Sequence, residues 1–227
     1  MTTQLAVRSS GYSRSVPNGL FAAVPDRELR LVGQRRTYAR GEVVFRQGDA
    51  GDVLHHVVSG RFASQMVTPS GDVATLAVHN PGQVFGLLAA LRPDLRRTAN
   101  VVALEPAETV VVTAAAFASL RRSYPAVALA CEELLVDLLQ ATSDRLVEAL
   151  YLPAHQRVRA RLRALAELYR TEPDATTATI SLSQDHIADL AGTTRETVNR
   201  VLHEEVERGS VRLARRQITV DLTRLRR

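Results

Sequence analysis

The sequence predicts an α+β protein with an N-terminal β-roll, a long helix and a C-terminal winged helix-turn-helix. Three observations predict this order: short β-type segments punctuated by glycine over residues 36–113, an uninterrupted helical pattern over 126–150, and two short helices joined by a glycine turn within 181–209. The expected domains are a flexible arm (1–20), a β-roll (21–125), a long helix (126–152) and a C-terminal helix-turn-helix domain (153–227).

Composition limits the functional class. The chain has 227 residues, 45% of them hydrophobic, which is enough for two modest domains. It lacks the roughly 18 uninterrupted apolar residues of a membrane span and a cleavable apolar leader, so we expect a cytoplasmic protein without a membrane partner. The single cysteine, Cys131, excludes an internal disulfide and a cysteine-ligated cluster within one chain. We find no catalytic residue set and no metal-ligand spacing, and therefore expect no enzyme.

Charge is concentrated towards the C-terminus. All 29 basic residues are arginine, and the formal net charge is +5. Residues 1–152 contain 15 arginines and 14 acidic residues, net +1, whereas residues 153–227 contain 14 and 10, net +4. This distribution favours a polyanionic partner such as double-stranded DNA.

The N-terminal half is predicted to form the arm and the roll. Residues 1–20 combine serine, glycine, proline and arginine without periodicity, which is typical of a flexible arm. Predicted strands then cover residues 42–46, 53–58, 62–68, 73–78, 98–103 and 108–113. A glycine follows each of the first four strands, at 48, 60, 71 and 82, and this spacing indicates an antiparallel barrel or β-roll.

The long helix carries the residue pattern of a seam for self-association. Apolar or small residues recur at alternating spacings of four and three, as in a two-stranded coiled coil: Leu135, Leu139, Thr142, Leu146 and Ala149. The alternative is a helix that packs only on its own roll, a contact that Leu134 and Leu138 could make at the same time as the seam. Pro153 ends or kinks this helix and marks the domain boundary. A further helix over 154–169 and a polar loop over 171–179 are expected to follow.

Residues 181–209 predict a helix-turn-helix. Ser183 can cap a helix over 184–191, and Gly192 supplies the turn. Thr193 and Glu196 have the spacing of a capping box at the start of the second helix. The apolar positions of that helix predict its buried face: Val198, Val201, Leu202 and Val206.

The opposite face of the second helix suits a DNA major groove. It presents Arg195, Glu196, Asn199, Arg200 and His203. Arginine can donate two bonds to guanine and glutamate can accept from cytosine, so we expect Arg195, Glu196 and Arg200 to read bases. Segments 211–213 and 218–220 predict a hairpin wing. The expected contacts to the DNA backbone are Ser183, Thr194, Thr197, Arg215 and Arg216.

A different interpretation of the same charges remains open. A small helical domain could pair them along the helix, Arg200 with Glu204 and Glu204 with Arg208, without any nucleic acid.

Residues 36–222 resemble the cyclic-AMP receptor and fumarate-nitrate regulator (CRP/FNR) family of bacterial transcription factors. The strongest match is segment 194–202, TRETVNRVL, which is similar to the family's recognition helix and aligns its three base-reading positions with Arg195, Glu196 and Arg200. The roll glycines at 48, 60, 71, 82 and 86 match as well. The resemblance implies a homodimer that reads a palindromic site and works with RNA polymerase.

The resemblance also implies where an effector would bind. Cyclic-nucleotide-binding members have a cassette that begins Gly-Glu, with the glutamate on the ribose hydroxyl, and ends Arg-Ser/Thr-Ala, with the arginine on the cyclic phosphate. This chain has Gly86-Leu87 at the first end and Arg97-Thr98-Ala99 at the second. A buried hydroxyl without its charged acceptor loses about 1.5 to 3 kcal/mol, which argues against ordinary cyclic AMP binding.

Two hydroxyl residues of the long helix favour a cyclic nucleotide instead. By resemblance, Thr142 and Ser143 match the residues that contact adenine from the two subunits. Cyclic AMP therefore stays a candidate effector, with Gly86, Leu87, Arg97, Thr98, Thr142 and Ser143 as candidate binding residues. The alternatives are another small effector, a regulator that needs no ligand, and a cyclic-nucleotide-binding signalling module that acts on proteins.

Overall fold

The computed structural model describes residues 19–92, 94–215 and 217–225. They form two compact units that meet in sequence between Asp137 and Leu138. We call residues 19–137 the N-terminal unit and residues 138–225 the C-terminal unit. Residues 1–18 of the predicted arm lie outside the described residues, whereas Leu20, the arm's last residue, is buried in the core. None of the described helices is long and apolar enough to cross a bilayer.

The N-terminal unit is a β-roll flanked by short helices. Its helices are α1 (Asp26–Val32), α2 (Leu87–Leu91) and α3 (Ala114–Ser123). Its strands are β1 (Gly33–Tyr38), β2 (Val43–Phe45), β3 (Val53–Ser59), β4 (Phe62–Val67), β5 (Val73–His79), β6 (Val84–Phe85), β7 (Asn100–Ala103) and β8 (Ala107–Thr113). They pair antiparallel in two sheets, ordered β1-β8-β3-β6 and β2-β7-β4-β5.

Strand β3 contributes to the core on both of its faces. Leu54 belongs to a cluster with Phe117 of α3 and Val127 of the following helix, whereas Val57 belongs to a second cluster with Phe62. Because side chains alternate along a strand, these two residues point to opposite sides of the sheet. The sheet therefore separates the interior of the roll from the helical layer.

The six predicted strands are confirmed with small differences at their ends. Strands β1 and β6 and helices α1, α2 and α3 were not predicted. In β1, the four central side chains are exposed, so the segment lacks the alternation of apolar and polar residues that marks a half-buried strand.

The long helix α4 (Pro125–Tyr151) is confirmed, and its exposed apolar surface differs from the predicted seam. Leu134 and Leu135 pack against the core of the roll, because that core contacts the first three turns of the helix. Leu138, which the sequence assigned to contact with the roll, is 48% exposed. Four apolar residues form what we call the α4 stripe, each more than 60% exposed: Val136, Leu139, Leu146 and Leu150.

The C-terminal unit contains the predicted helix-turn-helix and wing. Its elements after α4 are α5 (Ala154–Tyr169), β9 (Thr177–Ile180), α6 (Gln184–Ala191), α7 (Arg195–Glu207), β10 (Val211–Ala214) and β11 (Gln217–Asp221). The three strands form an antiparallel sheet ordered β10-β11-β9. The three helices enclose a fully buried core that includes Val158, Leu162, Ile187, Val198 and Leu202.

The predicted polar loop over 171–179 is wrong in its last three residues. Thr177 begins strand β9, in which Ala178 and Ile180 are buried and the two threonines are exposed. The threonine-rich composition suggested a loop, but threonine is β-branched and favours strands where a partner strand is present. Strand β11 supplies that partner.

Candidate functional site

The turn of the helix-turn-helix has a cap on each side. The Ser183 hydroxyl accepts from the backbone N–H of His186 at 3.2 Å, which confirms Ser183 as the cap of α6. Gly192 ends α6 in the left-handed region, with φ 58°. The cap of α7 is Thr194, whose hydroxyl accepts from the Thr197 backbone N–H at 3.4 Å.

The predicted capping box of Thr193 and Glu196 is therefore wrong. Helix α7 begins one residue later than that motif requires, so Thr197 occupies the position expected for the glutamate. Glu196 is left exposed in the first turn of α7 and is free of the capping role.

The exposed face of α7 presents the predicted base-reading residues. Arg195, Glu196 and Arg200 are exposed, as are Asn199 and His203. The opposite face is buried as predicted, except that Val206 is 39% exposed. Arg195 lies 3.6 Å from the Asp185 carboxylate, and because both side chains are more than half exposed this pair is worth about 0 to 1 kcal/mol. Arg200 has no ion pair within the described residues.

The alternative that pairs these charges along α7 is contradicted. Arg159 of α5 donates to the Glu204 carboxylate and to the Glu205 carboxylate, each at 2.7 Å. Glu204 therefore points towards α5 and does not pair with Arg200. Arg208 donates to Glu205 and not to Glu204. The charges of α7 are thus divided between a partly buried network on the α5 side and an outer side, where Arg195 lies near Asp185 and Arg200 has no ion pair within the described residues.

Glu205 is the centre of the buried network. Its side chain is 2% exposed and accepts from the Ser210 hydroxyl at 2.6 Å in addition to the two arginines. Burial acts to raise the pKa of this carboxyl. The hydrogen bonds from Ser210 and the arginines outweigh burial and hold the pKa below its usual value. The network fixes α7 against α5 and was missed because its partners lie 46 residues apart in sequence.

The remaining expected DNA-backbone contacts surround this face. Ser183 and Thr194 are exposed, and Thr197 is half-buried. Arg215 is exposed at the turn between β10 and β11, where Ala214 pairs with Gln217. Arg216, the other predicted residue of the wing tip, lies outside the described residues. An open cleft of about 450 Å³ adjoins the face, lined by His155, Arg159, Arg200, Glu204 and Arg208.

In the N-terminal unit, Arg97 is held inside the roll. It is 5% exposed, and its guanidinium donates to the carbonyls of Val53 at 2.8 Å and Gly86 at 3.3 Å. It also lies 4.1 Å from the centre of the Phe45 ring. Burial lowers the pKa of Arg97, and no ion pair joins it to an acidic group within the described residues. Its Nε is buried and has no protein partner there.

The first end of the cassette is closely packed. Gly86 has a φ of 80°, which favours glycine, and a Cβ there would lie 2.5 Å from a terminal nitrogen of Arg97 and would displace the end of that side chain. Leu87 follows as the first residue of α2 and packs against the core cluster of Leu54 and Phe117. An aliphatic side chain facing the core thus stands where a ribose acceptor was expected.

The other candidate effector residues are exposed. Thr98 follows Arg97 in an irregular segment. Thr142 and Ser143 belong to the C-terminal unit, and their hydroxyls donate to the backbone carbonyls of Leu138 at 2.7 Å and Leu139 at 3.0 Å. The structure brings Gly86 and Arg97 together in one unit.

The interior of the roll next to Arg97 contains an aromatic cluster that the sequence did not predict. The His55 ring stacks on Phe85 at 4.7 Å between ring centres and contacts Phe45 at 5.8 Å. Burial, and then the charges of Arg97 and Arg36, lower the pKa of His55 to about 3. Strand alternation could have placed His55 on the same face as Val57. Within the part of the chain that is described, no group of histidine, cysteine or acidic residues could hold a metal ion.

Two family models match separate parts of the chain. The cyclic nucleotide-binding domain matches residues 35–124, and the Crp-like helix-turn-helix domain matches residues 156–227. Together they cover the roll and the elements that carry the exposed face of α7.

Curated relatives match most of the chain. The cyclic AMP receptor protein of Thermus thermophilus is 35% identical over 180 residues, covering 79% of this chain and 80% of the relative. The CRP-like cAMP-activated global transcriptional regulator of Mycobacterium tuberculosis is 30% identical over 192 residues, covering 84% and 85%.

Solved structures share the fold. The structure of FixK2 from Bradyrhizobium japonicum aligns with a TM-score of 0.75 at 22% identity, covering 86% of this chain and 96% of that one. The Thermus thermophilus catabolite activator protein aligns with a TM-score of 0.52 at 32% identity, covering 91% and 95%.

Proposed function

The chain belongs to the CRP/FNR family of DNA-binding transcription regulators, and from that premise we propose that it binds a palindromic DNA site as a homodimer. In this proposal residues 21–125 form the sensor domain, residues 126–152 dimerise, and residues 153–227 bind DNA. RNA polymerase is the partner we expect on the promoter.

The observation that carries the proposal is the separation of charges on α7. Glu204 and Glu205 are engaged by Arg159, while Arg200 is exposed and has no ion pair within the described residues. An arginine that loses no protein partner can turn to a guanine edge at low cost. We assign base reading to Arg195, Glu196 and Arg200. Phosphate contacts are assigned to Ser183, Thr194, Thr197, Arg215 and Arg216.

Dimerisation is supported by the α4 stripe. Leu139, Leu146 and Leu150 are separated by seven and four residues and are 69%, 61% and 65% exposed. Side chains at this spacing lie on one face of a helix, and a second copy of the helix would remove them from water. Two recognition helices related by twofold symmetry then fit two half-sites of a palindrome.

Two observations favour DNA binding that does not depend on cyclic AMP, although the curated relatives named above are cyclic AMP receptors or cyclic-AMP-activated regulators. One observation points the other way: Arg97 is suited to hold a cyclic phosphate, since its Nε is buried without a protein partner in the described residues. Leu87, however, packs into the core and offers no acceptor to a ribose hydroxyl. The terminal nitrogens of Arg97 are already bonded to carbonyls. We therefore propose a ligand-independent regulator, or one with a different small effector, ahead of a cyclic-AMP-responsive one.

Selection from pooled random duplexes tests the DNA-binding proposal. The full-length protein should enrich a palindrome, and sedimentation should show two copies of the chain on each selected duplex. Enrichment of no sequence, with a helical domain that captures proteins instead, would favour the signalling-module alternative.

Calorimetric titration with cyclic AMP tests the effector proposal. The wild-type protein should bind the selected duplex tightly without nucleotide. It should show no binding of cyclic AMP with a micromolar Kd. Micromolar binding that also tightens the complex with DNA would contradict ligand independence and would assign Arg97, Thr142 and Ser143 to the nucleotide.

A further inference from the structure

Arg157 joins three segments of the C-terminal unit. It lies in the first turn of α5, and its guanidinium donates to three backbone carbonyls. These are Ala191 at 2.9 Å, Gly192 at 2.8 Å and Leu152 at 2.8 Å. The sequence did not single out this residue, because its acceptors are backbone atoms that lie up to 35 residues away.

The three carbonyls belong to two helix ends. Ala191 is the last residue of α6 and Gly192 is its cap, while Leu152 directly follows α4. The last carbonyls of a helix have no partner within it and carry partial negative charge, so the half-buried guanidinium of Arg157 supplies both hydrogen bonds and positive charge. Only arginine has enough donors, in a fixed planar arrangement, to reach three acceptors at once.

We infer that Arg157 is a positioning residue that ties the turn of the helix-turn-helix to the end of the dimerisation helix, so that the recognition helix follows the position of α4. The inference deepens the proposed function and depends on it, because it concerns how a dimer on a palindrome sets the separation of its two recognition helices.

A second contact joins α5 to the end of α4. Arg161 of α5 donates to Glu148 of α4, and both side chains are buried. Arg157 and Arg161 therefore connect α5 to the end of α4 across Pro153, where the sequence predicts a domain boundary. Arg161 ends at α4, whereas Arg157 also reaches the turn, which makes Arg157 the direct connection to α7.

The turn is short enough to transmit this position. Gly192 is separated from the cap of α7, Thr194, by a single residue, and the Thr193 N–H donates to the Ala188 carbonyl at 3.1 Å. A shift of the α6 end relative to α4 thus moves Arg195 with it. In a dimer, such a shift alters the spacing between the two recognition helices, which must match a helical turn of DNA.

The test uses full-length R157Q and R157K and measures affinity for three kinds of duplex. These are the selected palindrome, palindromes with the centre lengthened or shortened by one or two base pairs, and an isolated half-site. The matched control is R163Q, since Arg163 is a half-buried arginine of the same helix whose guanidinium donates to the Leu225 carbonyl and not to α4 or the turn. Thermal unfolding of every variant is measured in parallel.

We expect the wild type and R163Q to bind the selected spacing about tenfold more tightly than the altered ones, which is the weight of one charge-assisted hydrogen bond. R157Q should lose that preference and keep its half-site affinity. R157K should behave like R157Q, because an ammonium retains the charge but cannot reach three carbonyls in one plane. If R157Q does not fold, the R157K comparison decides the matter.

Two results would overturn the inference. An equal loss on every duplex, with a lower unfolding temperature, would leave Arg157 a merely structural residue, and full spacing preference in R157K would show that charge alone is needed. A wild type without any spacing optimum would overturn the palindromic dimer itself, and that result is recognisable before any variant is made.

Discussion

At the scale of single residues, the hydrogen bonds of Thr194 and Arg159 determine which side chains of α7 stay available to a ligand. Glu196 could act either as a capping partner or as a base reader, and Thr194 takes the capping role. Arg159 binds the Glu204 carboxylate and keeps it away from Arg200. Glu196 and Arg200 are therefore available on the outer face of α7.

Replacing Arg200 by alanine is expected to weaken binding to the selected palindrome by about 1 to 3 kcal/mol and to relax preference at one base pair of each half-site. The reason is the loss of a bidentate contact to guanine. Anisotropy titrations on the palindrome and its single-base variants measure both effects. Arg122→Ala, which removes an exposed arginine of α3, is the control for net charge. Equal losses on specific and random DNA would remove Arg200 from base reading.

Replacing Leu87 by glutamate is expected to produce no micromolar binding of cyclic AMP, because the side chain at this position packs against the cluster of Leu54 and Phe117. Calorimetric titration of the variant and the wild type measures the affinity. Leu88→Glu places the same charge on the exposed neighbouring residue and is the control for charge alone. A gain of about one to two decades in Leu87→Glu alone would show that the carboxylate reaches the ribose hydroxyl.

At the scale of elements, the chain shows which signals a sequence carries. Strands bounded by glycine turns, such as β3 and β4, could be predicted because alternation and punctuation are local. Strand β1 could not, because its central residues are exposed, and β9 depends on pairing with β11. The α5–α7 network is likewise invisible, since Arg159 meets partners 45 and 46 residues away. The outer face of α7 could be predicted from helical periodicity. The packing of α5 against α7, which supports that face, could not.

The cap of α7 gives a prediction at this scale. Thr194→Ala should destabilise the C-terminal unit by about 1 kcal/mol, since the Thr197 N–H loses its acceptor. Thr193→Ala, one residue earlier, should have a much smaller effect. Urea unfolding followed by circular dichroism measures both. The reverse order of the two losses would restore the capping box that the sequence suggested.

The α4 stripe gives a second prediction at the scale of elements. Leu139→Glu should convert the dimer into monomers, because two carboxylates would face each other in an apolar seam. Gln140→Glu adds the same charge at the adjacent exposed position and should leave the dimer intact. Analytical ultracentrifugation distinguishes them. A Leu139→Glu protein that remains dimeric would place the interface elsewhere.

At the scale of the whole molecule, acid should act on the N-terminal unit through its buried histidines. The pKa of His55 is about 3 in the folded protein and 6.5 ordinarily. Between these two pKa values the unfolded chain binds a proton that the folded chain does not. The contribution of His55 to the free energy of unfolding is therefore fully present above pH 6.5 and decreases as the pH falls towards about 3. At about pH 5 the loss from this one group is about 2 kcal/mol.

The measurement compares urea unfolding at about pH 7.5 and about pH 5. His55→Phe should lose about 2 kcal/mol less than the wild type on acidification. Phe45→Leu disturbs the same aromatic cluster without removing a titrating group, so it should keep the full acid dependence. An identical loss in His55→Phe and wild type would show that His55 already titrates near its ordinary pKa.

The thiol of Cys131 can report how often α4 opens away from the roll. It is the chain's single thiol, it is 1% exposed where α4 packs on the roll, and burial raises the pKa of the thiol. A thiol reagent can therefore reach it only when α4 lifts from the roll, so the labelling rate counts those openings. No engineered probe is required, and slower labelling in the presence of the selected duplex would show that engagement of DNA is felt at the opposite end of the same helix.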